Sequence, residues 1–129
     1  MTKFERTFQL WDYWVSHAQL LLRSPGDVRQ PPGSAGARNI DLMFVAVNYV
    51  ELPTLMWELE LAEPTADDLR KAEQAMGEAV PAERVFVIVT QARRHLIVAG
   101  GMWVVENDLG LMETSLDRGP YTSAGRGPG

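Results

Sequence analysis

A chain of 129 residues with 46% apolar and 22% charged residues has the composition of one ordinary globular domain, long enough to bury a core. It has no cysteine, which excludes disulfides, thiolate catalysis and cysteine-ligated metals. The net charge is −5, and across residues 51–83 nine acids face only Arg70 and Lys71, so all the excess negative charge belongs to the middle third. Such a field repels phosphate backbones, and nucleic acid is not an expected partner.

Ten arginines against two lysines, with abundant alanine and glycine, give the bacterial-like composition of a GC-rich coding sequence. Single arginines therefore carry less functional weight than usual. Lys3, Glu5, Arg6 and Asp12 leave no room for a secretory hydrophobic region. The longest uncharged apolar stretches, residues 42–50 and 96–105, fall well short of the roughly 20 residues of a membrane helix. A soluble cytoplasmic protein without membrane contact is expected.

From Phe4 to Leu22 the even positions are mostly apolar, the period of a strand. One continuous strand of that length would span about 60 Å, too long for a small domain. A bend or bulge is expected near residues 11–13, where odd positions also turn apolar, and the segment divides into two strands. Within it, LWDYWVSHAQ holds Asp12, Ser16 and His17, the residue types of a hydrolytic triad. On a strand Asp12 and Ser16 share a face but stand about 13 Å apart, and His17 points the other way. A triad needs hydrogen-bond reach between successive members, so none forms locally, and no G-x-S-x-G elbow exists. His17 could instead form one wall of a pocket.

Residues 24–39, with three prolines and three glycines, carry no apolar period and are expected to form a flexible loop. Residues 40–52 are an almost unbroken apolar run, as in a strand covered on both faces, and Pro53 ends it. Residues 55–62 alternate, with Leu55, Trp57, Leu59 and Leu61 expected inward and Glu58 and Glu60 outward. The helix is expected over residues 66–80. Thr65 is a good N-cap, Asp67 and Asp68 place acids at the positive end of the dipole, and Leu69, Ala72, Met76 and Val80 make the buried stripe. Residues 84–91 form a further strand and residues 92–94 suit a turn. Two last strands flank Gly100 and Gly101, which read as a hairpin turn or a bulge.

One helix among this many strands excludes a parallel α/β sheet. The expected fold is α+β, mostly β: a curled antiparallel sheet of about six or seven strands against one helix. Residues 1–118 form a single globular domain, and residues 119–129, whose GRGPG lacks the strand and helix of a phosphate loop, a loose tail.

No catalytic residue, metal ligand or cofactor site is assigned. Only His17 and His95 exist, in no paired-ligand spacing. Glu58 and Glu60 lie near the carboxylate spacing of inverting glycosidases, but a solvated face would not raise either pKa. Arg93, Arg94 and His95 suit a soluble hairpin tip better than an anion site. Two readings follow. The first is a non-catalytic acidic interaction module, a regulator, inhibitor or immunity-type partner of a protein with a basic surface. Its surface would comprise Glu58, Glu60, Asp67 and Asp68. The alternative is a small-molecule-binding protein or small enzyme with an apolar pocket between sheet and helix, formed by Asp12, Trp14, His17, Phe44, Trp57 and Trp103. Sheet edges also leave room for a homo-oligomer.

Overall fold

Ten strands and one α-helix appear in the computed structural model, which describes residues 2–110 and 113–116. The strands are β1 (Thr2–Phe4), β2 (Phe8–Trp14), β3 (Gln19–Ser24), β4 (Asn39–Val45), β5 (Tyr49–Glu51), β6 (Leu55–Met56), β7 (Leu59–Ala62), β8 (Val85–Thr90), β9 (Arg93–Val98) and β10 (Gly101–Asn107). The helix α1 spans Ala66–Met76. All pairings are antiparallel, in two sheets of order β1-β7-β8-β9-β5 and β10-β4-β3-β2-β6. The α+β, mostly β class with a single helix holds. The strands are shorter and more numerous than the sequence suggests, and they divide between two sheets.

The reason is that hydrophobic period does not record a change of sheet. The apolar run of residues 40–52 breaks at Ala46, whose φ of +50° turns the chain from β4 across to β5 in the other sheet. Val47 N–H donates to Ala18 O and Asn48 N–H to Val98 O, bracing the crossing from both sides. The alternating run of residues 55–62 breaks at Trp57 and Glu58, between β6 in one sheet and β7 in the other. Gly100 and Gly101 lie at a third crossing, from β9 to β10, and form neither a hairpin nor a bulge between paired strands. A Cβ on Gly100 would lie 2.9 Å from Ala46 Cβ, so glycine permits that close approach.

The layers follow from side-chain parity. Phe8, Leu20, Leu22, Leu42, Phe44 and Met56 of one sheet meet Leu59, Ile88 and Ile97 of the other in the central core. Alternate residues of β8 and β9, namely Val85, Val87, Leu96 and Val98, face the opposite way and pack on Ala72 of α1. Leu69, Met76 and Val80 complete that second cluster. The helix ends at Met76 rather than continuing to residue 80, because Gly77 adopts φ +75° and its N–H bonds Glu73 O. The order of layers is therefore helix, sheet, sheet.

The first hairpin bulges between Leu10 and Asp12 and turns through a 3-10 segment, Val15–His17, with Ala18 left-handed. The Pro/Gly-rich segment between β3 and β4 contains no strand and is tied down by Arg6. The Arg6 Nη2 donates to the carbonyls of Ser24, Pro25 and Arg38 at 3.2, 3.0 and 2.8 Å, and its Nε to Ser24 Oγ. The expected tail at residues 119–129 and the last two positions of the expected domain lie outside the described residues.

Candidate functional site

The acidic segment looks different once folded. Asp68, expected on the exposed surface, is 2% exposed and forms a capping box with Thr65. Its carboxylate also accepts Arg94 Nη2 at 2.7 Å. Burial pushes the Asp68 carboxyl up, but the hydrogen bonds from Arg94 and Thr65 outweigh this and hold it below its ordinary value. In turn Asp68, and more weakly Glu60, raise the Arg94 guanidinium above its ordinary value.

Glu60 is half-buried on β7, with Lys3 directly opposite on β1 and Val89, the partner of Arg94, on its other side. Asp67 is exposed and bonded by Arg70 at 2.9 Å and Lys71 at 3.6 Å. Glu51 Oε2 lies 2.7 Å from His95 Nδ1. Of the four acids expected to form a surface, only Glu58 is exposed with no ion pair among the described residues. The sum over residues 51–83 leaves out Arg94 and His95 of β9, which lie against Asp68 and Glu51. Arg93, Arg94 and His95 alternate along β9 and do not converge on one point.

The six residues of the expected pocket are not brought together. Phe44 is in the central core, edge-on to Phe86 with ring centroids 5.6 Å apart. Trp57, expected inward, is 57% exposed at the β6–β7 crossing. Trp103 is 55% exposed on the edge strand β10. Its register with Met43 puts it on the outward face, in the same cross-strand row as Leu21 and Asp12. Trp14 stacks on His17 at 3.7 Å beside the first turn, and Ser16 Oγ lies 3.1 Å from His17 Nδ1. The bulge at Trp11 shifts the parity of β2, which is why Trp14 leaves the core face. Between the helix and its sheet the space is filled by the second apolar cluster.

A different place gathers apolar and acidic groups. Strand β7 ends just before Glu63 and Pro64, and its last residue, Ala62, pairs with Val87. The first two residues of β8, Val85 and Phe86, thus extend beyond their β7 neighbour. The notch is a hollow of about 430 Å³ lined by Leu61, Phe86 and Met102, the last from the other sheet, with Glu63 and Glu83 also on its wall. Both glutamates are exposed and neither forms an ion pair among the described residues. Two neighbouring bases are engaged elsewhere: Arg84, next to Glu83 in sequence, bonds Asn48 Oδ1 and Ala99 O, and Arg94 clasps Asp68 while touching only the carbonyl of Glu63. The sequence signal was Pro64 closing β7 early, but locating the notch needs the β7–β8 register.

A second hollow, of about 510 Å³, runs beside Arg6, Gln9 and Asp27, but the carbonyls of the adjoining loop already occupy the Arg6 guanidinium. No group of three or more metal-ligating side chains occurs among the described residues, and no helix there is long and apolar enough to cross a membrane. Compared with protein-family models, curated proteins and solved structures, the chain has no match.

Proposed function

We propose that this protein is a non-catalytic interaction module of the cytoplasm that docks a protein with a basic surface, as a regulator, inhibitor or immunity-type partner. The observation that carries this reading is the pair Glu63 and Glu83, two exposed glutamates that line one hollow and form no ion pair among the described residues. Elsewhere in the same stretch Asp67 and Asp68 are paired with bases and Glu51 lies against His95, while Glu58, Glu73 and Glu78 are exposed without an ion pair among the described residues but line no hollow with a second acid. Unbalanced surface carboxylates steer a cationic partner and discriminate against anionic ones.

The test is affinity capture from lysate at low and high salt, followed by association kinetics with the captured protein. Reversing both charges, Glu63→Lys with Glu83→Lys, should slow association by about tenfold and flatten its salt dependence. A captured partner whose association rate ignores the reversal would overturn the reading. The apolar lining of the same hollow supports the second reading, a small-molecule-binding protein. Thermal-shift screening would favour it if a neutral apolar compound stabilised both the parent and the charge-reversed chain.

A further inference from the structure

We infer that the notch between β7, β8 and β10 is an anchor pocket for one long basic side chain, arginine or lysine, presented by the partner protein. This rests on the interaction reading above and names the contact that reading leaves open. Three features of the notch converge on that chemistry.

The first is its wall. Leu61, Phe86 and Met102 offer an apolar surface from two different sheets, and all three pack on the central core. An aliphatic stem of three or four methylenes can lie on such a surface while its charged head stays in water.

The second is the charge. Glu63 follows the end of β7 and Glu83 sits in the 3-10 segment Ala82–Arg84 that leads into β8. The two glutamates therefore line one hollow from separate parts of the chain. A guanidinium or ammonium group can bond either of them, and an anionic group would be repelled by both. A hard metal ion is a poor alternative, because it needs about six oxygen ligands, whereas two carboxylates stand beside an apolar wall.

The third is size. About 430 Å³ lies at the small end of ligand sites, which run from roughly 300 to 1,000 Å³. It suits one side chain with accompanying water rather than a helix laid along a groove.

The full chain, carrying carbon-13 methyl-labelled methionine, provides the test. Among the described residues Met102 is the one methionine on the wall, and its methyl signal is assigned with Met102→Leu. Three probes are titrated: N-acetyl-arginine methylamide, N-acetyl-lysine methylamide and the uncharged N-acetyl-norleucine methylamide. The expected result is a saturable Met102 shift with the two cations and a much weaker one with norleucine. Affinity for the cations should fall about tenfold in the Glu63→Gln, Glu83→Gln variant. Both glutamates are exposed, so the variant should keep the parent methyl spectrum apart from signals near the notch.

An equal response to norleucine would overturn the inference and leave an apolar pocket. A silent Met102, or binding indifferent to Glu63→Gln and Glu83→Gln, would overturn it too. Failure here is distinct from failure of the functional reading. A partner whose association depends on the Glu63 and Glu83 charges while Met102 stays silent removes the anchor and keeps the module.

Discussion

The two sheets share one core, yet each covers its outward face by different chemistry. On the sheet containing β8 and β9, Val85, Val87, Leu96 and Val98 lie under α1, and the centre of the contact is apolar. On the sheet containing β3 and β4, the corresponding face carries Arg23 and Asp41, directly opposite each other and 1% and 0% exposed. Gly110 and Glu113, beyond the end of β10, reach over them. Arg23 Nη1 donates to the carbonyls of Glu113 at 2.9 Å and Gly110 at 3.3 Å. Its Nε and Nη2 take both Asp41 oxygens, Asn107 Nδ2 donates to Asp41 Oδ2, and Asn39 Nδ2 bonds Asn107 Oδ1 and Leu109 O. The Trp11 ring lies 5.3 Å from the Arg23 guanidinium carbon.

An apolar cover loses stability roughly in proportion to the area removed. A buried ionic network behaves otherwise, since deleting one member leaves a charge with neither partner nor water.

The largest expected effect comes from breaking that network. Asp41→Ala should cost about 3–5 kcal/mol, because Arg23 remains buried and charged. Replacing both partners, Arg23→Met with Asp41→Leu, should recover most of that loss even though a second charged group is gone. On the other sheet, Leu96→Ala should cost about 3 kcal/mol, with no companion substitution that restores it. Denaturant midpoints of the four chains decide the matter. A double variant as unstable as Asp41→Ala would show that the pair contributes net stability and does more than satisfy itself.

This contrast also marks what could be read from the sequence. The α+β class and the helical stripe were legible because Thr65, Leu69, Ala72 and Met76 state their roles within a few residues. Val80 belongs to the same apolar cluster but lies beyond the helix, since Gly77 ends the helix while the hydrophobic pattern runs on. Arg23 and Asp41 stand out as charges within apolar runs, but only the β3–β4 register shows that they meet. The sheet crossings at Ala46 and Trp57 were hidden for a related reason: the apolar pattern continues through a crossing while the neighbours change. The acids of residues 51–83 needed the positions of Lys3, Arg94 and His95, all distant in sequence. The notch depends on where β7 stops against β8. Apart from the helix end, each missed feature is a relation between strands.

A smaller effect is expected at the helix start. Thr65→Ala removes the hydroxyl that accepts the Asp68 N–H and should cost about 1 kcal/mol. Asp68 adds a pH dependence whose sign follows from its lowered folded-state value. The stabilisation is fully present above the ordinary aspartate range, near pH 4, and is lost as pH falls through the lower folded value. Asp68→Asn should therefore narrow its stability gap to the parent between pH 5 and strongly acidic solution, roughly pH 2. Midpoints across that range check the sign. A gap that widens on acidification would mean that Arg94 does not hold the carboxylate in the charged form. The comparison between sheets sharpens accordingly: the helix cover has one ionic contact at its edge, while the other cover has its ionic contact at its centre.

The smallest expected effect concerns how each sheet turns its central hairpin. Between β8 and β9 only Gln91 and Ala92 intervene, both at positive φ, +52° and +61°. Between β2 and β3 the turn is longer, and only Ala18 is left-handed, at +50°. Two-residue hairpin turns of this kind favour Asn-Gly, because each left-handed L-residue is strained by roughly 1–2 kcal/mol and asparagine and glycine much less. Gln91→Asn with Ala92→Gly should therefore stabilise the protein, although glycine's greater freedom in the unfolded chain returns part of the gain. The net should be about 0.5–1 kcal/mol, with a smaller gain for Ala18→Gly, which relieves one residue instead of two. Thermal or denaturant midpoints can resolve this difference. Equal gains at the two hairpins would mean that strain per residue differs between the turns, and that the short connection of the helix-bearing sheet is the better tolerated of the two.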